Sequence, residues 1–259
     1  MNSEKAGMCA VTGGASGIGK AVAEKFASEG HDVAIIDVNE TGAAAVAKRI
    51  SHEFDVEVQV FIADLSDRDA CRSLADQVFA WKHPGIWVNN AGILRLEPAL
   101  ESSDSVFDSV MDTNFRSMFV LSVEYAKRMI AAAQRGSIVN ISSIHAVLSE
   151  PNASVYTAAK GAIEASARTF ASEWASRGIR VNCVRPGATY TELTNPIYTE
   201  EIKNAVYSRV PMRRIADASE IAEAVYFLGS DRASYCTGTT LDVDGGYVMD
   251  GSLPGTEYE

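Results

Sequence analysis

An α/β fold with a doubly wound, seven-stranded parallel sheet and helices on both faces is predicted by three observations. Short apolar runs recur along the 259 residues, separated by stretches with helical periodicity. The first run leads through a glycine-rich loop into a helix. No Pro/Gly/Ser-rich linker or long charge block divides the chain, which points to a single domain over residues 1–259.

Strands are expected at 8–11, 32–36, 56–63, 85–88, 137–141, 179–184 and 239–243. Helices are expected at 21–29, 41–52, 67–81 and 218–228, with another that carries Tyr156 and runs to about 176. The spacing of Phe115, Met118, Phe119, Ser122, Ala126, Met129 and Ile130 marks one more. Residues 192–214 are polar and broken by Pro196 and Pro211, as expected of a lid at about 188–215; a flexible surface connection reads the same way.

Composition narrows the partners. Lys and Arg number 23 against 34 Asp and Glu, a formal net charge of −11, which repels phosphate backbones and anionic membrane surfaces. Neither nucleic acid nor membrane is expected. Cys9, Cys71, Cys183 and Cys236 form no C-x-x-C pair, so they read as reduced thiols and no metal site is expected. Residues 1–7 leave no room for a signal sequence and no apolar run reaches membrane-spanning length, which suggests a cytoplasmic protein.

The loop Thr12-Gly13-Gly14-Ala15-Ser16-Gly17-Ile18-Gly19-Lys20 sits between strand and helix. Its glycines permit close backbone approach, and the free amides at the helix start attract a pyrophosphate, with Gly13, Gly17 and Gly19 facing it. A plain glycine-rich turn is the alternative. Asp37, at the end of the second strand, is placed to accept from both adenosine ribose hydroxyls. A 2′-phosphate would meet its charge, and Ser16 and Val38-Asn39-Glu40 offer no basic residue to grip one, so NAD is favoured over NADP. Asp37 also fits a turn carboxylate. Asp64, before Leu65, suits the adenine amino group or a helix cap. Asn89-Asn90-Ala91-Gly92 after the fourth strand suits close packing on a cofactor.

Tyr156-Thr157-Ala158-Ala159-Lys160 places a phenol and an ammonium on one helix face. An ordinary tyrosine loses its proton near pH ~10, and an adjacent cation favours the phenolate, making the phenol a usable acid or base. Ser143, just past a strand end, can direct its hydroxyl at that helix. Ser142 reads as structural. By itself the tyrosine–lysine pair also fits a surface ring stacked on a lysine stem.

In order and spacing, Thr12 to Gly19, Asp64, Asn89 to Gly92, Ser143, Tyr156-x-x-x-Lys160 and Pro186-Gly187 resemble the short-chain dehydrogenase/reductase family over about residues 6–250. The resemblance implies a Rossmann fold and an NAD(P)-dependent oxidoreductase acting on CH–OH groups. Asn114, Ser143, Tyr156 and Lys160 would be catalytic, with Asn114 tying the lysine through water to a proton relay; satisfying backbone groups at a helix kink is its other reading. Cofactor contacts would fall on Gly13, Ser16, Gly17, Ile18, Gly19, Asp37, Asp64, Leu65, Asn90, Ala91, Gly92, Tyr156, Lys160, Pro186, Gly187, Thr189 and Thr191. A homotetramer is implied, with one side of the Tyr156 helix against a neighbour.

The expected reaction is NAD-dependent oxidation of a secondary alcohol, or its reversal, with Tyr156 as general base and Ser143 steadying the oxygen. Ser143, His145, Asn152 and Tyr156 are the expected substrate contacts. Ser-Ile-His-Ala resembles the corresponding turn of some sugar dehydrogenases in the family, which suggests a sugar or polyol. A 3-oxoacyl thioester reductase and a catalytically silent NAD-binding regulator are the rival readings. The tail, about 247–259, is expected to cross a subunit interface towards a neighbour's lid, or to be a frayed terminus.

Overall fold

Successive residues along the central strands point to opposite faces of the sheet, and both faces are apolar. Cys9, Val11, Val33 and Ile35 pack on one side with Val22, Phe26, Ile50 and Val225; Met8, Ala10, Ala34 and Ile36 pack on the other with Leu74, Val78, Leu121 and Ile163. A strand buried on both faces reads as a continuous apolar run, which is how these strands were legible.

The computed structural model describes residues 7–250. Its strands are β1 (Met8–Thr12), β2 (Asp32–Asp37), β3 (Val58–Ile62), β4 (Ile86–Asn89) and β5 (Gly136–Ile141), followed by β6 (Ile179–Pro186), β7 (Thr189–Tyr190), β8 (Ala216–Asp217) and β9 (Thr240–Val243). Seven of them form a parallel sheet in the order β3-β2-β1-β4-β5-β6-β9. The helices are α1 (Gly17–Ser28), α2 (Glu40–Glu53), α3 (Ala70–Trp81), α4 (Asp104–Val110), α5 (Ser117–Ala131), α6 (Ser154–Trp174), α7 (Glu200–Arg209) and α8 (Ala218–Gly229). The first, second and last cover one face, and α3, α5 and α6 the other. Among the described residues no helix is long and apolar enough to cross a membrane.

Three boundaries differ from expectation. The first helix begins at Gly17, inside the glycine loop and not after it, so its free amides belong to the loop. Strand β3 is shorter than 56–63 because the Glu57 amide donates to the Asp32 carboxylate, 2.8 Å away. Helix α3 starts at Ala70 because Asp67 accepts from the Asp69 amide in a local turn at 2.9 Å. The expected helix around Asp112 is present, but a π-helical stretch, Met111–Arg116, joins α4 to α5.

Burial governs the cysteine chemistry. It pushes the Cys9 thiol well above its usual range, Cys71 up to about 11 and Cys183 up to about 12, while Cys236 is partly exposed. A thiol reagent added to the folded protein is therefore expected to modify one cysteine, Cys236, and all four after unfolding. Fast labelling of two or more in native buffer would contradict this packing.

Candidate active site

The strand order reverses between β1 and β4, the place where open α/β sheets bind ligands beyond their carboxyl ends. Thr12 and Asn90 clasp the two strand ends there. The Thr12 hydroxyl accepts from the amides of Asn90 and Ala91 at 2.9 and 3.0 Å, and the Asn90 side-chain amide donates to the carbonyls of Thr12 and Gly13 at 2.9 and 3.1 Å. The clasp draws the glycine loop against the 90–92 segment. A Cβ on Gly13, whose φ is +66°, would lie 2.8 Å from Asn90 Nδ2, and one on Gly19 would overlap the Gly13 carbonyl and the same amide. Gly19 thus serves packing inside the loop and is not among the residues lining the cavity, whereas Gly13, Ser16, Gly17 and Ile18 are.

Asp37 lines the same cavity and also builds the loop. One carboxylate oxygen accepts from the Ala15 amide and the other from Asn39, both at 2.9 Å. Asp64 accepts from the amide and hydroxyl of Ser66 at 2.9 and 2.7 Å, and these bonds lower its pKa. It lines the cavity beside Leu65 and caps no helix; Asp69 precedes α3. At the start of α1, the Gly17 amide donates to Glu192 Oε2 at 2.7 Å. A carboxylate already stands on this amide at the helix start, so the loop fits a dinucleotide's pyrophosphate.

Ser143, Tyr156 and Lys160 come together at the cavity wall, from the end of β5 and from the first turns of α6. Burial raises the Tyr156 phenol, and a hydrogen bond with the Ser143 hydroxyl draws it partly back. Burial lowers Lys160 to about 8, partly offset by Cys183 and Glu164. The ammonium lies 5.6 Å from the centre of the Tyr156 ring and donates to the Ile141 carbonyl at 2.8 Å. The expected depression of the tyrosine by the lysine is therefore corrected here: desolvation dominates, and the ammonium's bond goes to the strand end and not to the phenol oxygen.

Asn114 is buried in the π-helical stretch, with both ends of its amide committed to Ile93. Its oxygen accepts from the Ile93 amide at 2.7 Å and its nitrogen donates to the Ile93 carbonyl at 2.9 Å. It ties that stretch to the loop after β4, and its neighbour Thr113 lines the cavity while Asn114 does not. This matches the reading in which Asn114 satisfies backbone groups at a helix irregularity.

The cavity has a volume of 740 Å³ and also takes in Ala91, Gly92, Pro186, Gly187, Thr189 and Thr191. His145 lines it, with Nε2 3.4 Å from the Glu150 carboxylate and its ring edge-on to Tyr156 at 6.4 Å; burial lowers its pKa. Asn152 does not line it. It is exposed, at a φ of +65°, and its carbonyl accepts from the Glu97 amide, so the turn claims it instead of the substrate pocket.

The segment expected to form a lid contains a helix held between pinned ends. Strand β7 pairs with β8, closing residues 191–215 into a loop, and Thr199 caps α7. Ile202, Ala205, Val206 and Arg209 of α7 line the cavity with Tyr247. Their i, i+3, i+4, i+7 spacing was the available signal, obscured by the polar residues between them. Tyr247 Oη lies 3.5 Å from Arg209, so the described part of the tail meets this chain's own lid. The rest of the expected tail, 251–259, lies outside the described residues.

A dinucleotide rim joined to a serine–tyrosine–lysine cluster at the edge of a parallel sheet defines a nicotinamide-dependent oxidoreductase, and the chain belongs to the short-chain dehydrogenase/reductase family. Residues 13–248 match the family profile described as enoyl-(acyl carrier protein) reductase. The chain is similar to galactitol 2-dehydrogenase (L-tagatose-forming) of Cereibacter sphaeroides, 39% identical over 94% of this chain and 96% of the relative. It is also 32% identical to the 3-oxoacyl-[acyl-carrier-protein] reductase of Thermotoga maritima, over 93% and 98%. A 4-hydroxyisoleucine dehydrogenase complexed with NADH superimposes with a TM-score of 0.87 at 31% identity, over 94% and 99%, and other chains of the same fold hold NADP.

A pyrophosphate bound at this loop would compete with Glu192 for the Gly17 amide. Glu192→Gln, which removes the competing charge, is expected to tighten NAD+ binding by about two- to tenfold, the worth of one exposed hydrogen bond. Calorimetry would check this, and an unchanged or weaker affinity would count against the competition.

Proposed function

We propose that the protein is an NAD-dependent dehydrogenase of secondary alcohols, with a sugar or polyol as substrate. The observation that carries this reading is a single cavity lined by the nucleotide rim, the Ser143–Tyr156–Lys160 cluster and a largely apolar pocket under the lid, into which Thr194, Tyr198, Arg209 and Tyr247 bring polar groups. The bound nicotinamide supplies the hydride acceptor in oxidation and the hydride donor in reduction. Tyr156 takes the proton of the substrate hydroxyl, or returns it to the carbonyl oxygen. Ser143 hydrogen-bonds that oxygen, and Lys160 places positive charge beside the phenol. Asn114 acts behind them by holding the loop after β4.

Preference for NAD rests on Asp37, which brings negative charge to the rim beside Val38, with no lysine or arginine among the rim residues there. The sugar or polyol rests on the similarity to galactitol dehydrogenase and on His145 and Glu150, which place hydrogen-bonding groups near Tyr156. The similarity to the Thermotoga maritima enzyme supports the second reading, 3-oxoacyl thioester reduction. A homotetramer in a reducing compartment completes the proposal. It draws on the partly exposed apolar seam of Phe119, Val123 and Trp174 on α5 and α6, packed over the buried Phe170, and on the four free cysteines.

Tyr156→Phe is expected to retain NAD+ binding and lose turnover by about a hundredfold or more. In the wild type, alcohol oxidation should rise with pH as the phenol loses its proton. Ketone reduction, which needs that proton, should fall over the same range. Steady-state rates on both directions check this, and normal turnover by the variant would remove Tyr156 from its role.

A screen of sugars, polyols and hydroxy acids with NAD+ and NADP+, alongside 3-oxoacyl thioesters with NADH and NADPH, separates the two readings. Polyol oxidation with NAD+ is expected. Asp37→Asn should raise the NADP+/NAD+ ratio of kcat/KM by about five- to tenfold, the screened effect of one charge. A wild type active solely on thioesters with NADPH would overturn the proposal.

A further inference from the structure

Behind the catalytic cluster lies an ion pair that the mechanism above does not use. Glu164 follows Lys160 by one turn on α6, and its side chain is 6% exposed. Arg185, on β6 directly before Pro186, grips it with two parallel bonds, Nε to Oε1 at 3.0 Å and Nη2 to Oε2 at 2.8 Å. The remaining arm of Arg185 reaches Asp242 on β9 at 2.6 Å. Glu164 Oε1 also accepts from the Ser142 hydroxyl at 2.6 Å, and the Ser142 amide donates to the Val184 carbonyl at 2.8 Å. One carboxylate therefore joins the residue before Ser143, the helix of Tyr156 and Lys160, and the strand leading to the Pro186-Gly187 turn.

We propose that Glu164 is a positioning residue of the active site: its buried carboxylate, oriented by Arg185, fixes the Ser142-Ser143 turn against α6 and presents the negative charge that faces the Lys160 ammonium. Stability is a poor explanation for such a pair, because desolvation offsets most of the attraction between buried charges and apolar replacements are commonly neutral. The bidentate geometry instead fixes orientation.

The charges around Lys160 can be enumerated. From α6 it faces Tyr156, a neutral phenol raised by burial, and Glu164; from β6 it faces Cys183, a thiol pushed up to about 12 and so neutral. The end of β5 contributes the Ile141 carbonyl and the Ser143 hydroxyl. The π-helical stretch packed on α6 offers the uncharged Thr113 and Asn114. The turn after β5 carries His145, held neutral by burial and paired with Glu150. Arg168, one turn beyond Glu164, is exposed. Among these groups Glu164 brings a carboxylate within one turn of Lys160 on α6, and the guanidinium of Arg185 pairs with it from β6. Without the Glu164 charge, the ammonium would deprotonate at lower pH, and the positive charge beside the phenol would be lost within the working range.

The proposal rests on the dehydrogenase reading, but its test does not require a known substrate. In protein labelled with ¹³C-lysine, the Lys160 side-chain signal is assigned by its disappearance in Lys160→Met and titrated by NMR. Glu164→Gln keeps the shape and the acceptor for Ser142 and leaves Arg185 paired with Asp242. It should lower the Lys160 midpoint by about half to one pH unit, the scale of one nearby charge. Glu164→Asp, which keeps the charge, should restore most of the shift. The double variant Glu164→Gln/Arg185→Met removes both members of the pair and should show a smaller drop, because the guanidinium's opposing charge goes with the carboxylate; it guards against misfolding of the single variant. A midpoint unmoved in the folded variants overturns the assignment. The dehydrogenase reading fails separately, as a wild type with the expected lysine titration and no turnover of any alcohol.

Discussion

The site depends first on the hydrogen bonds that Thr12 and Asn90 exchange across the ends of β1 and β4. These strands are neighbours in the sheet but far apart in the chain, and the clasp lies where helices must diverge to opposite faces. Each strand end offers backbone groups with no ladder partner, and each side chain satisfies the other's. With the ends tied, the glycine loop has no room for a side chain at Gly13 or Gly19, and α1 begins within reach of a ligand. Asp37 completes the arrangement from β2 by bonding Ala15, so the residue proposed to favour NAD also shapes the loop.

The Ser143–Tyr156–Lys160 cluster obeys a different constraint. Removing water opposes charge on both partners: the phenol rises and the ammonium falls. Left to burial alone, the two would meet as neutral groups. The protein counters this with oriented polar partners: the Ile141 carbonyl on the lysine, the Ser143 hydroxyl on the tyrosine and an acid one turn further along the helix. Electrostatics and geometry are thus set by the same bonds, and the end of β5 supplies most of them.

Most of the fold was legible because strands buried on both faces leave uninterrupted apolar runs, and because each functional motif follows a strand. The rim residues Gly13, Ser16, Gly17, Asp37 and Asp64 follow from that pattern and do line the cavity. Three features were not legible. The apolar face of α7 is spread among charged residues, and Arg209 looks like solvent-facing charge. Asn152 belonged to the right segment, but a left-handed turn carries it outside the pocket. The partner of Lys160 could not be judged from spacing, since the end of β5 enters from elsewhere in the chain. Glu164 and Arg185 show the same limit, because helix and strand meet only after folding.

The short pairing of β7 with β8 holds both ends of the lid together before the chain enters α8. Beyond that pairing the segment is also tethered: Glu192 accepts from the Gly17 amide, Arg209 meets Tyr247, and the Met212 amide donates to the Gly245 carbonyl. The lid is in this sense a separable part: its ends are fixed by β7 and β8, while the elements that bear the glycine loop and the Ser143–Tyr156–Lys160 cluster lie outside it. New substrate preferences in this architecture can arise by substituting one cassette, without rebuilding the catalytic floor beneath it.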